Sequence, residues 1–182
     1  MKRTTFNEAG ANEPVRIEQV FGEKPGGGIV IEPGFDAPAT TAVYADGDKY
    51  RVIKAYRLVA AVKSSDTSIK VEKGTGVAVG DAIAYGKKAV ACTAVDASNA
   101  SYDVVTVTMG VNIASGAVLY QAASESASAA QPKGNAIYVT GNNLTGGLGD
   151  QPVRLINGAN LRKETANIAP EVVAQLKNIN LV

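Results

Sequence analysis

The sequence predicts a mainly β protein, a compact β-sandwich or barrel-like module with an extended N-terminal arm and a short C-terminal helix. Three observations carry that expectation. From residue 41 onward, short β-branched segments alternate with Gly, Asp-Gly and Gly-Asp turns at nearly even spacing. Helix start and stop signals gather only near the end, around residues 170–178. The first 42 residues have no sustained periodicity at all.

Residues 1–42 read as the arm, and residues 43–182 as the β-rich domain that ends in the helix. Turn chemistry stands back to back in Lys24-Pro25-Gly26-Gly27-Gly28 and in Glu32-Pro33-Gly34-Phe35-Asp36-Ala37-Pro38. The short apolar run Ile29-Val30-Ile31 lies between them. All three Phe residues of the chain, Phe6, Phe21 and Phe35, fall in this arm. So few apolar residues cannot form a core alone, so the arm is expected to dock on another surface.

Beyond the arm, residues 41–53 read as a hairpin, because Asp46-Gly47 supplies the positive-φ residues that tight turns require. Residues 56–63 form the next expected strand. Residues 68–72 alternate Ile69 and Val71 with Lys70 and Glu72, which predicts one buried face. Further strands are expected at 82–85, 88–94, 102–108, 136–140 and 152–156, with a low-complexity linker at 121–134. In 102–108, Asp103, Val105 and Val107 share one face and Val104, Thr106 and Thr108 the other. At the end, Pro170 and Glu171 open a helix and Lys177 closes it, in accord with the helix dipole. Val172, Val173 and Leu176 then lie on one side.

Composition narrows the function classes. The chain has 182 residues, 46% of them apolar but only 5% aromatic, with no Trp, so its core is expected to be thin and built from small side chains. Eighteen basic residues balance 17 acidic ones. That is not the concentrated basic face of a nucleic-acid binder, and it offers no polybasic patch to a membrane. No apolar run is long enough to span a bilayer, and no apolar segment follows Lys2-Arg3 to make a secretory signal. The chain has no His, and its single Cys92 reads as a small core residue. The commonest general base and the ordinary zinc ligands are therefore missing, and neither metal, cofactor nor catalysis is expected.

The motifs that touch on chemistry are better read as turns. Gly74-Thr75-Gly76 with Gly80 misses the dinucleotide spacing, and a β segment rather than a helix follows. Asp46 and Asp48 flank Gly47, but Lys49, Tyr50 and Arg51 come next instead of further oxygen ligands for calcium. Asp81, Asp96 and Asp103 stand at turns or strand starts, where Asp is common.

Several segments together resemble a family of tailed-phage head proteins, the head fibre or capsid decoration proteins of Bacteroidetes phages and prophages. They are Arg57-Leu58-Val59-Ala60-Ala61-Val62, Thr67-Ser68-Ile69-Lys70-Val71, Val79-Gly80-Asp81-Ala82-Ile83, Tyr102-Asp103-Val104-Val105-Thr106-Val107 and Gly116-Ala117-Val118-Leu119. The ending from Pro152 through Ile179-Asn180-Leu181-Val182 is similar to such proteins too. The resemblance implies a non-enzymatic virion component, made in the bacterial cytoplasm and carried on the capsid surface. It also implies a homotrimer bound to the major capsid protein, and it brings no catalytic motif. Long heptad repeats for a shaft are missing, which favours a short decoration module over an extended fibre. Phe6, Val20 and Phe21 of the arm, or Val172 and Leu176 of the helix, are the expected capsid or subunit contacts. A carbohydrate-binding or adhesin module is the rival reading, with a concave patch drawn from Tyr44, Tyr50, Tyr56 or Tyr85.

Overall fold

The computed structural model describes residues 14–182. The chain begins with β1 (Ile17–Glu23), β2 (Gly28–Val30), β3 (Ala42–Asp46) and β4 (Lys49–Val52). A middle stretch follows, with β5 (Ala55–Arg57), β6 (Ser68–Glu72), β7 (Ala82–Tyr85), β8 (Lys88–Ala91), β9 (Ala94–Asp96), β10 (Tyr102–Thr106) and β11 (Val118–Ala122). The chain ends with β12 (Ala136–Thr140), β13 (Gln151–Val153), β14 (Leu155–Leu161), α1 (Pro170–Val173) and β15 (Asn178–Leu181). Strand accounts for 44% and helix for 2%, so the mainly β class holds.

Both ends of the chain build one large sheet, in the order β1-β14-β12-β3-β4-β2-β13, with β15 parallel to β14. This sheet is curled into a half-barrel. The middle stretch is a module inserted between β4 and β12, made of the sheets β5-β11-β7-β8 and β6-β10-β9. β11 is buried at all five positions because it lies between two cores. Val118, Tyr120 and Ala122 pack toward the large sheet, against Val139, Ile156, Leu161 and Val172. Leu119 points the other way, into the module's own core with Tyr56, Ile69, Ile83 and Val105. A third cluster, including Val30, Val43, Leu144 and Leu155, covers the opposite side of the large sheet.

The hairpin at Asp46-Gly47 forms as expected, with Gly47 at φ +63° and Asp46 opposite Lys49. β6 buries Ile69 and Val71, and in β10 Asp103 and Val105 are buried, as alternation requires. Three expectations need correction. Residue 42 is not a structural boundary: β1 and β2 lie in the same sheet as β3, and Phe35 packs against Gly76 of the module. The expected strand 152–156 breaks at Arg154, because β13 pairs with β2 while β14 starts afresh against β12 and β1. The helix keeps Pro170 and Glu171 in its first turn but closes after four residues, since residues 178–181 are drawn into parallel pairing with β14.

Candidate functional site

The residues singled out as contacts separate in the structure. Phe6 lies outside the described residues. Val20 points from β1 into the main core and is half-buried. Val172 and Leu176 are both buried in that same core, so the helix face is spent on the chain's own packing and is not free for a partner. Of the five, Phe21 is the exposed one among the described residues, at 56%. The four tyrosines of the rival reading do not form one patch either. Tyr56 is fully buried, Tyr44 packs against the main core, and Tyr85 packs against the module core. Tyr50 joins the cluster on the far side of the large sheet, its ring edge-on to Tyr138 at 5.7 Å.

The densest polar constellation is centred on Asp81, just before β7. Its Oδ2 accepts hydrogen bonds from Lys54 Nζ at 2.8 Å, Ala78 N–H at 3.0 Å and Tyr56 O–H at 3.1 Å. Its Oδ1 accepts from Gln121 Nε2 at 2.8 Å. Burial pushes the Asp81 carboxyl up, but the Lys54 hydrogen bond and charge, the Ala78 N–H and the Tyr56 hydroxyl outweigh it and hold the pKa below the ordinary value. Tyr56 is driven far upward by burial first and by the Asp81 charge second. Its hydroxyl is therefore fixed as a donor to the carboxylate. Every partner comes from this chain, and together they tie the β4–β5 linker to β5, β7 and β11. Arg57 repeats the device, donating to Ala166 O at 2.6 Å and Gly116 O at 2.9 Å. Glu171 of α1 accepts from Gly86 N–H at 2.8 Å.

The large sheet has a different polar surface, on the face of β1, β14 and β15 turned away from the module. Ala159, Leu161, Ile179 and Val20 point into the main core, so their neighbours point outward. Gln19 stands opposite Asn160, and Asn160 opposite Asn180, with Asn180 Nδ2 donating to Asn160 Oδ1 at 3.1 Å. The next row is Gly22, Gly158 and Asn178. Phe21 and Asn157 are the extra residues at two register shifts in the β1–β14 pairing. Such bulges re-aim side chains. Here they swing the Phe21 ring over Gly158 and the Asn157 amide over Gly22. A Cβ on Gly158 would come within 2.9 Å of that ring, and one on Gly22 within 2.6 Å of Asn157 Oδ1. Beside them is an open groove of about 300 Å³, lined by Asn135, Ile137, Asn157, Gln175, Lys177 and Asn178 among others.

Compared with models of known families, with curated proteins and with solved structures, the chain shows no match. Among the described residues, no group of three or more His, Cys, Asp or Glu side chains is placed to hold a metal ion. No helix among them is long and apolar enough to cross a membrane. Sequence reasoning singled out Phe21 but not the amides around it. The signal was the spacing Asn157-x-x-Asn160 against Asn178-x-Asn180, which gains meaning only once β15 is known to lie beside β14.

Proposed function

We propose that this chain is a structural virion protein of a tailed phage, a head fibre or decoration protein bound to the outside of the capsid. In this reading it is a homotrimer and its partner is the major capsid protein. The observation that carries the reading is the use made of buried polar groups. Asp81, Lys54, Tyr56 and Gln121 satisfy one another along the β5-β11-β7 sheet, so their chemistry is spent on holding the fold together, as suits a structural protein. The resemblance of its strand-and-turn segments to head decoration proteins supports the same reading.

Attachment is assigned to residues 1–13, which include Phe6 and precede the exposed Val15. Deleting residues 1–35 would also remove β1 and β2 and bare the core. Deleting only residues 1–13 leaves every described strand in place. The full chain should co-sediment with purified capsids of the phage that encodes it. The chain lacking residues 1–13 should stay in the supernatant with an unchanged thermal melt. Capsid binding by the shortened chain would refute the attachment site, and no binding by the full chain would refute the reading itself.

A further inference from the structure

Around Asp81, the polar side chains satisfy one another inside the fold. On the outward face of β1, β14 and β15 they face solvent instead. Asn157, Asn178, Gln19 and the Asn160–Asn180 pair form two rows of planar amides, with the exposed Phe21 ring set among them. Each amide donates and accepts at once, which matches the hydroxyls of a sugar, groups that also do both. The Phe21 ring, seated on Gly158, offers an apolar plate to the C–H face of a pyranose.

Charge selects among ligands. The bordering cations are committed, Arg162 to Glu18 and Arg154 to Glu23, which leaves Lys177 as the charged residue lining the groove. A polyanion needs a cluster of available cations, and a metal ion needs carboxylates. The buried centre of a stable protein interface is apolar with few polar groups, and here a single aromatic stands among amides. Two of the three bulges in the β1–β14 pair turn Phe21 and Asn157 over the paired glycines Gly158 and Gly22.

We infer that this face binds a neutral glycan, a chain of hexose or N-acetylhexosamine units, which stacks one ring on Phe21 and runs into the groove past Asn157 and Asn178. This stands apart from the capsid reading, since a sheet face that binds sugar does so on or off a particle.

The test is a titration of the ¹⁵N-labelled full chain with millimolar maltotetraose, cellotetraose, mannotetraose and chitotetraose, followed by NMR. At least one sugar should shift the side-chain NH₂ signals of Asn157 and Asn178 and the backbone signals of β1. Phe21→Ala should weaken that sugar by about tenfold, while Phe21→Tyr, which keeps the ring, retains binding. Silence toward all four sugars overturns the inference, as do shifts mapping to another face or binding unchanged in Phe21→Ala. Sedimentation showing self-association that Phe21→Ala abolishes would also overturn it, by making the face an interface between copies. Capsid co-sedimentation of Phe21→Ala is expected to be unchanged, so failure here is distinct from failure of the capsid reading.

Discussion

The inserted module and the large sheet solve the same problem in opposite ways. The module combines local hairpins, β7 with β8 across Gly86 and β9 with β10 across a short turn, with the longer-range pairs β6–β10, β7–β11 and β5–β11, all in unbroken register. Its β6 alternates buried and exposed residues along its length, and its densest polar cluster, around Asp81, is satisfied within the chain. The large sheet pairs β1 with β14 and takes β15 in parallel, so it closes only when both ends of the chain have come together. It is also where register shifts accumulate, and where amides and an aromatic ring are left facing solvent. The module is built to be packed, and the sheet is built to be met.

The largest expected effect tests the packed side of that contrast. Leu119 is fully buried at the centre of the module core, in the strand that both cores share. Leu119→Ala should cost about 2–5 kcal/mol in urea unfolding, through lost transfer energy and the cavity left behind. A cost below about 1 kcal/mol would mean that the module core collapses freely and is not a close-packed layer.

Next comes the seam. Asp81→Ala strips Lys54, Tyr56 and Gln121 of their shared acceptor, and with Lys54 and Asp81 side chains 18% and 12% exposed the loss is only partly screened. The expected cost is about 2–4 kcal/mol, from stranded donors as much as from the lost pair. Because the folded pKa is depressed, this contribution is complete above the unfolded value near 3.8 and disappears as pH falls through the lower folded value. The gap in stability between the natural protein and Asp81→Asn should therefore shrink on acidification below that value. A gap that stays constant through that window would show that Asp81 acts through shape and not through charge.

The contrast also explains what the sequence could and could not reveal. Ile69, Val71, Val105 and the Asp46-Gly47 turn were legible because alternation and turn chemistry are local. β1 was not, since three register shifts between Ile17 and Glu23 break the period-two pattern. Asn178 reads as the stop of a helix over 170–177, and the strand it opens is not legible, because a parallel partner 20 residues upstream leaves no local trace. Asp81 read as a turn residue, and it is one, yet its four partners lie as far as 40 positions away. The outward amides were invisible for the same reason: Gln19, Asn160 and Asn180 come from three distant segments and share a row only in the folded sheet.

The smallest expected effect concerns how the curled sheet closes. Arg154 stands at the corner where β13 ends and β14 begins, and its Nε donates to Glu23 Oε2 at 2.8 Å. That bond holds the Glu23 carboxyl below its ordinary pKa, against the opposing pull of burial. Yet the two side chains are 50% and 38% exposed, so solvent screens most of the attraction. The backbone secures the corner independently. Arg154 N–H donates to Asn142 Oδ1 at 2.9 Å, Gly141 N–H donates to Arg154 O at 2.8 Å, and Lys24 N–H donates to Leu155 O at 2.9 Å. Arg154→Ala keeps all three, and should cost less than about 1 kcal/mol, with a loss that fades further in high salt. A cost above about 2 kcal/mol, independent of salt, would mean that the sheet is closed by its side chains. The large sheet would then resemble the module's seam more closely than its backbone pairing indicates.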